Sequence, residues 1–448
     1  MKNPTPITNN GISHLPILAL LLILAAILTG CNTDNTPLVY GTWDQPDSPL
    51  KTIRRVNADG SSPASIIEST VGLVVQKYSS RHNYANPLSP DGNFLSVYAQ
   101  NEEGNWELNI LPTRADGNTP LFNHPMGSQP ALSISGFSPD SRYYVFTEQN
   151  PESGLFTIQV YDLRAKALLP PKGGAFFADF FPGSSDLLTV GVGPTGAIAG
   201  VQRVTLPTRA EQSLYKPPEG EQIGLLLVSP DKKDLLVYDL ATGKLDRVPV
   251  DGSQRSTIYQ FSGDIGAAFT PGAGFLVLTD LTQAVQRLLV FDPQFREIYR
   301  QDGIGSGTLA FSGDGRTIAF QTGSPEGMAL NTLSLDSLAK PVKISDSGVF
   351  YQPRFSPDGS RIVYIEYKAA QEKTGELYAA NTDGTGAKLL DEGVTSFAFG
   401  VNNTLLYFKA DVTDPLNPVS SLYRIGMDGS AKARVTQGED GFSVLLGP

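Results

Sequence analysis

The sequence predicts an all-β chain of many short strands joined by tight turns. Its 448 residues include 45 glycines and 33 prolines, well above the share of about 12% that the two residues have in an average globular protein. Backbone-interrupting residues at this frequency indicate many turns between short elements. A turn sequence that recurs along the whole chain supports the same fold class.

The recurrent turn is most complete at Ser356-Pro357-Asp358-Gly359. An apolar segment precedes it, serine can cap it, proline fixes φ, and glycine accepts a positive φ at its end. A β-rich segment follows, so each copy predicts a hairpin. Strong copies begin at Leu88, Phe137, Phe311 and Phe355, and weaker ones at Phe181, Phe269 and Phe399.

A second family of turns alternates with these copies along the chain. It contains Asp-Gly, which between apolar segments is a strong hairpin signal; the copies are Asp59-Gly60, Asp116-Gly117, Asp383-Gly384 and Asp428-Gly429. Asp239–Lys244 is expected to be a longer form of the same turn. Two hairpins in each repeat give four strands, and four-stranded repeats of about 40 to 45 residues predict a β-propeller.

These motifs resemble the Pro-Asp-Gly repeat of TolB-type β-propellers, which are related to propellers with the WD repeat. The resemblance covers residues 38–448 and is strongest around Pro90, Pro139, Gly313 and Pro357. TolB proteins carry a separate α/β domain before the propeller, and this chain has no room for one. The role of TolB in the Tol system is therefore not expected here.

The number of blades follows from the turns, and eight is expected. Turns near 90, 139, 182, 271, 313, 357 and 401 define seven repeats. The first strands, Leu38–Tyr40 and Lys51–Val56, lack an inner strand, which Phe442–Leu446 at the C-terminus would supply, closing the ring. The stretch 194–234 is either an insertion in the fourth repeat or a ninth blade that contains Ser229-Pro230-Asp231, so seven and nine remain alternatives.

The N-terminal segment has the layout of a secretory signal. Lys2 precedes an apolar run from Leu15 to Leu28, which is shorter than the roughly 20 residues of a membrane-spanning helix. Leu28-Thr29-Gly30-Cys31 resembles the lipobox of bacterial lipoproteins. The resemblance implies cleavage after Gly30 and lipidation of Cys31; the alternative is an ordinary secretory signal with an incidental free cysteine.

The predicted organisation is therefore a signal peptide over residues 1–30, a lipidated cysteine and tether over 31–37, and a propeller over 38–448. The resemblance to lipoproteins also implies an exported protein held on a membrane by its lipid. Because Asn32 and not aspartate follows the cysteine, a Gram-negative cell would place it on the periplasmic face of the outer membrane. In other cells the outer face of the cytoplasmic membrane is expected.

Charge and cysteine content exclude two classes of interaction. The formal net charge of −11 repels phosphate backbones, so no nucleic-acid partner is expected. It also disfavours direct adhesion to anionic lipid heads, which leaves anchoring to the lipid on Cys31. Since Cys31 is the only cysteine, no intramolecular disulfide can form and the core must hold the fold.

Several motifs that suggest chemistry are better explained by structure. Gly191–Gly196 matches G-x-G-x-x-G, but no helical pattern follows it, so a loop is expected instead of a dinucleotide site. His82 and His124 lie in polar, turn-rich surroundings, and neither G-x-S-x-G nor H-E-x-x-H occurs. A two-histidine metal site is a remote alternative, and the Asp-Gly turns lack the full spacing of a calcium loop.

The aromatic run Phe176–Phe181 is expected to be core between sheets, with a ligand-binding patch as the alternative. No catalytic, cofactor-binding or metal-ligating residue is assigned. The leading hypothesis is a membrane-anchored propeller that binds a protein, glycan or small molecule without catalysis. The alternative is a lyase or glycan-acting enzyme with carboxylates in the propeller channel. A tight group of Asp or Glu with Arg or Tyr at the channel mouth would favour the enzyme.

Overall fold

The structure, a computed structural model, describes the part of the chain that carries the predicted repeats. The described residues are 37–43, 50–57, 62–74, 87–114, 119–127, 136–149, 156–181, 183–192, 198–261, 264–281, 286–305, 309–324, 327–369, 372–400, 403–411, 419–436, 439–440 and 442–445. They form strands and no helix, and all strand pairs are antiparallel. The all-β prediction is confirmed.

The strands group into four-stranded units that follow one another along the chain, numbered here from I. Unit I contains β1 (Pro37–Trp43), β2 (Leu50–Asn57) and β3 (Ala64–Val74). Unit II adds β4 (Phe94–Gln100), β5 (Trp106–Pro112) and β6 (Phe122–Gly127) to the end of β3. Unit III contains β7 (Gly136–Phe137), β8 (Tyr143–Gln149), β9 (Phe156–Asp162) and β10 (Ala167–Leu168).

Units IV to VI repeat this arrangement. Unit IV contains β11 (Lys172–Phe180), β12 (Leu187–Val192), β13 (Ile198–Thr205) and β14 (Ala210–Tyr215). Unit V contains β15 (Ile223–Val228), β16 (Asp234–Asp239), β17 (Lys244–Pro249) and β18 (Ser256–Gln260). Unit VI contains β19 (Asp264–Phe269), β20 (Leu276–Leu281), β21 (Gln286–Phe291) and β22 (Glu297–Asp302).

Units VII to IX complete the series. Unit VII contains β23 (Ala310–Phe311), β24 (Thr317–Ser324), β25 (Gly327–Ser334) and β26 (Val342–Gly348). Unit VIII contains β27 (Phe350–Phe355), β28 (Arg361–Tyr367), β29 (Gly375–Asn381) and the first part of β30 (Lys388–Phe399). Unit IX contains the rest of β30, β31 (Thr404–Asp411), β32 (Val419–Gly426), β33 (Ala433–Arg434) and β34 (Glu439–Asp440).

The last strand, β35 (Phe442–Leu445), pairs with β1 from unit I and supplies its missing inner strand. Its register joins Tyr40 to Leu445 and Trp43 to Phe442. This pairing is the one predicted for the C-terminal segment. It brings the two ends of the described chain into one sheet.

The second strand of unit V, β16, is buried along its whole length, because this unit packs against a neighbour on both sides. Leu235 and Val237 join an apolar cluster with unit IV, whereas Leu236 joins one with unit VI. Another cluster joins units I and IX through Tyr40 and Phe408, whose ring centroids are 5.1 Å apart. The core is therefore divided among the contacts between units.

Candidate functional site

The antiparallel strand order gives every unit two different ends. The turn between the first and second strands and the turn between the third and fourth lie at one end, which we call the turn face. The connection between the second and third strands and the crossover to the next unit lie at the other, which we call the loop face. In unit VIII, residues 356–360 belong to the turn face and residues 368–374 to the loop face.

Five turns on the turn face share one hydrogen-bond pattern. The serine Oγ donates to the aspartate Oδ1 two residues later at 2.6–2.7 Å. The same Oγ accepts from the backbone N–H five residues later at 2.9–3.0 Å. These serines are buried, as expected of caps: Ser89, Ser138, Ser229, Ser312 and Ser356.

The aspartates of these turns form hydrogen bonds within the turns themselves. The serine hydroxyl lowers the pKa of Asp231, Asp314 and Asp358 below its usual value of 3.8. In the Asp-Gly turns, Asp383 and Asp428 likewise accept from the backbone N–H two residues later at 2.9 Å. The carboxylates of the described Asp-Gly turns thus bond their own backbone.

The serine cap makes a testable contribution to stability. Ser356→Ala is expected to lower the free energy of unfolding by about 1–2 kcal/mol, because the N–H of Arg361 loses its buried acceptor. Urea denaturation measures the change. Ser337→Ala, at an exposed turn position, is the control and should change stability by less than about 0.5 kcal/mol. Equal effects in the two variants would contradict the capping role.

Asp239–Lys244 differs from the predicted arrangement. This turn joins the second and third strands of unit V, whereas Asp383-Gly384 joins the third and fourth strands of unit VIII. The two turns therefore lie on opposite faces. The expectation that Asp239–Lys244 is a longer form of the same turn is wrong.

An acidic residue recurs on the loop-face side, ten residues after the turn serine or threonine. Glu148, Asp239 and Glu366 follow Ser138, Ser229 and Ser356 at this distance, and Asp280 follows Thr270. Asp239, Asp280 and Glu366 are buried, and Glu148 is partly exposed. All four lie near the ends of second strands.

Glu366 is the most completely enclosed of these acids, at 1% exposure. Ser345 and Ser347, on the last strand of unit VII, each donate to its carboxylate at 2.6 Å, and the Lys368 ammonium contacts the same group. Burial alone would raise the pKa of Glu366, but these donors hold it below its usual value. Lys368 also lies 3.4 Å from Glu376. The group joins units VII and VIII.

Glu148 forms the corresponding contact between units II and III. Its Oε1 lies 2.7 Å from Nε2 of His124 on β6, and Gln159 donates to its Oε2 at 2.5 Å. The His124 ring stacks on Phe122, with centroids 5.8 Å apart. The prediction of turn-rich surroundings for His124 is therefore wrong, since it lies in a strand among aromatic rings. His82 lies outside the described residues.

The carboxylates of the remaining two acids, Asp239 and Asp280, have different numbers of hydrogen-bond donors. Asp239 accepts from the N–H groups of Gln222 and Ala241 at 3.0 and 3.1 Å and from Thr242 Oγ1 at 2.7 Å. Among the described residues, Asp280 accepts only from Tyr259 Oη, at 3.2 Å. Its Oδ1 is buried and has no hydrogen-bond donor in the described part of the chain.

A separate buried acid, Asp391, lies between units VIII and IX. It accepts from Tyr407 Oη at 2.6 Å and from the ammonium groups of Lys409 and Lys432 at 2.9 and 2.7 Å. Burial opposes its ionisation, but these donors lower its pKa to about 2. A carboxylate this well paired stabilises the fold only while it is charged.

Asp391 is therefore expected to make stability depend on pH in the acid range. Because its folded pKa is about 2 and its unfolded value about 3.8, its contribution is complete above pH 4 and disappears between pH 4 and pH 2. The contribution is on the order of 2 kcal/mol. Urea midpoints across this range should fall less steeply for Asp391→Asn than for wild type. Equal slopes would contradict the assignment.

Other residues that the sequence singles out lie in strands or in the core wherever the structure describes them. Gly191 lies within β12, and the segment that follows the glycine-rich stretch is strand β13, not the helix that a dinucleotide site needs. Phe180 and Phe181 are buried in the clusters on the two sides of unit IV, which confirms the core interpretation for these two rings.

The predicted lipidation site Cys31 and cleavage site Gly30 lie outside the described residues. Within the described ranges, no helix is long and apolar enough to cross a membrane. The same ranges contain no group of three or more His, Cys, Asp or Glu side chains placed to hold a metal ion.

Comparison with known proteins bears on the fold. No family model and no curated protein matches the sequence. The chain is similar to the structure of a eukaryotic initiation factor, with 13% identity, a TM-score of 0.57, and coverage of 81% of this chain and 87% of that one. TolB from Acinetobacter baumannii shows 15% identity, a TM-score of 0.32 and coverage of 80% and 83%. The dihydro-haem d1 dehydrogenase NirN shows 14% identity, a TM-score of 0.45, and coverage of 84% of this chain and 80% of that one.

Identities this low concern the fold alone, and of these three only the initiation factor has a TM-score above 0.5. The similarity to the initiation factor concerns the overall fold and assigns no activity or partner. The repeated four-stranded antiparallel sheets are typical of a propeller-like architecture.

Proposed function

We propose that the chain forms a nine-bladed β-propeller, with each unit as one blade and β35 closing the ring. Nine apolar clusters of described residues support this number, because each lies between two consecutive units and the cluster around Tyr40 joins unit IX to unit I. Ser229-Pro230-Asp231 lies in the turn between the first and second strands of a separate sheet and does not belong to an insertion in unit IV. Nine replaces the expected eight for this reason.

The propeller is proposed to be exported and anchored by a lipid on Cys31. The lipobox-like sequence and the apolar run before it support this assignment. Since β1 begins at Pro37, five residues lie between the cysteine and the strand, and the six Cα–Cα steps span at most about 20 Å. The propeller would then lie directly beside its membrane.

We further propose that the protein is a binding module and that the loop face carries its recognition surface. The main support is the difference between the faces. Aspartates of the repeated turns on the turn face are bonded within their turns, which leaves the loop face as the freer surface for recognition. Surface loops are the usual carriers of recognition. The partner would be a protein, a glycan or a small molecule.

A pull-down from native membranes with the lipidated full chain tests this assignment. Loop-face changes Glu102→Lys and Leu240→Ser, at exposed positions, are expected to abolish recovery of the partner. The matched turn-face changes Lys233→Glu and Lys340→Glu, also exposed, should leave recovery unchanged. Loss of the partner only with the turn-face changes, or unchanged recovery with both pairs, would refute a loop-face site.

The histidines provide a second test. The double change His82→Ala and His124→Ala is expected to leave partner binding intact, because neither residue is assigned chemistry. Loss of the contact with Glu148 should cost about 1 kcal/mol of stability. A double variant that folds but loses turnover of a substrate would replace the binding module with the enzyme alternative.

An enzyme acting on glycans is the second candidate, favoured by one observation. Glu376 and Lys368 are partly exposed and lie beside the buried Glu366, which gives two carboxylates near one cation. Paired carboxylates can act as general acid and base. Turnover of cell-envelope glycans by wild type, lost in Glu376→Gln, would support this candidate over the binding module.

A further inference from the structure

We propose that Asp280 binds a small monovalent cation at the contact between units V and VI. The proposal begins from the four acids that share one position in their repeats. In Glu148, Asp239 and Glu366, both carboxylate oxygens have hydrogen-bond donors. In Asp280, Oδ1 is buried and has none among the described residues.

Burial makes this difference costly. Asp280 is 2% exposed, and a buried carboxylate without a partner is strongly unfavourable unless a positive charge or a donor compensates it. The one donor to Asp280 among the described residues, Tyr259 Oη, is uncharged and 3.2 Å away. Within this part of the chain, the carboxylate therefore has no compensating charge.

The arginine opposite Asp280 in its sheet does not supply that charge. Arg287 is the cross-strand partner of Asp280 in the sheet of unit VI, but its Nε donates to Asp302 at 2.5 Å and its NH1 to Tyr259 Oη at 3.3 Å. Asp302 and Arg287 neutralise each other. The described residues contain no ion pair to Asp280 within 4.0 Å, so its negative charge is left over.

The charge balance favours a monovalent cation over a water molecule or a divalent ion. One positive charge beside Oδ1 neutralises the carboxylate, whereas a water molecule supplies only a donor. A divalent ion normally takes several oxygen ligands, including more than one carboxylate, and no such group occurs in the described ranges. Asp280 Oδ1 and Tyr259 Oη would be two of the ligands of the proposed ion.

Thermal unfolding of the full chain tests the proposal. Melting midpoints are measured at equal ionic strength in the chlorides of sodium, potassium, ammonium and choline, the last being too large for a buried site. We expect wild type to melt a few degrees higher in at least one small cation than in choline. Asp280→Asn should abolish this difference. Asp239→Asn, at the equivalent satisfied position, should retain it.

Identical wild-type midpoints in all four salts would overturn the proposal, as would a cation effect that survives Asp280→Asn. The variant is expected to fold, because it removes an uncompensated charge without changing shape. A further measurement, on crystals of the wild-type protein, does not depend on this variant. Where potassium is the stabilising cation, crystals soaked in rubidium should show an anomalous peak within coordination distance of Asp280 Oδ1, and its absence would then overturn the assignment.

Discussion

Removal of residues 441–448 is expected to lower the free energy of unfolding by about 3–5 kcal/mol. The deletion takes away β35, which pairs with β1 from Tyr40 to Trp43. It also leaves β1 as an open sheet edge beside the cluster that contains Tyr40 and Phe408, both fully buried. Urea denaturation of wild type and the truncated chain measures the difference.

Two further observations control this experiment. The peptide 441–448 added to the truncated chain should restore part of the lost stability, because it can pair with the vacant edge of β1. The truncated chain alone should aggregate more readily, since exposed edges pair with other chains. A truncated protein with an unchanged unfolding midpoint would show that β35 does not hold the first and last units together.

Cys31→Ser is expected to move the protein almost completely from the membrane fraction to the soluble fraction. Stable anchoring needs more than one acyl chain, which the lipoprotein modification would attach through this cysteine. Fractionation followed by immunodetection measures the change. Because Cys31 is the only cysteine in the sequence, no other thiol can take its place.

Asn32→Asp is the matched control for the anchor. By resemblance to Gram-negative lipoproteins, it should keep the protein lipidated but retain it in the inner membrane. Intact-mass analysis of the membrane-bound protein should show cleavage after Gly30 and an added lipid mass. An unmodified Cys31, or a chain that still carries residues 1–30, would refute the assignment.

The hairpins could be predicted because their information is local. In the turn at Ser356, all the hydrogen bonds of the cap join residues no more than five positions apart, so sequence alone specifies them. The separate sheet of unit V was harder to identify. Its turn has Lys232, with a φ of 64°, where three other copies have Gly92, Gly315 and Gly359, and the turn after Phe181 lacks the aspartate. The regular spacing was therefore obscured over 194–234.

The contacts between units could not be predicted in the same way. Tyr259 and Asp280 are 21 residues apart, and nothing in either segment identifies the other as its partner. The sequence did contain one usable signal, the fixed distance from each turn serine or threonine to Glu148, Asp239, Asp280 or Glu366. Comparing the repeats position by position would have revealed these acids, but not which of them lacks a donor.

The cluster that joins units I and IX has a consequence for how long the folded protein lasts. Most clusters join segments that are neighbours in sequence, so they can form one after another as in repeat proteins. Tyr40 and Phe408 meet across nearly the whole chain, and a contact of such high sequence separation forms slowly. Once formed, it must open before either terminal unit can separate. The unfolding rate, and with it the lifetime against proteolysis, is expected to depend most strongly on this contact.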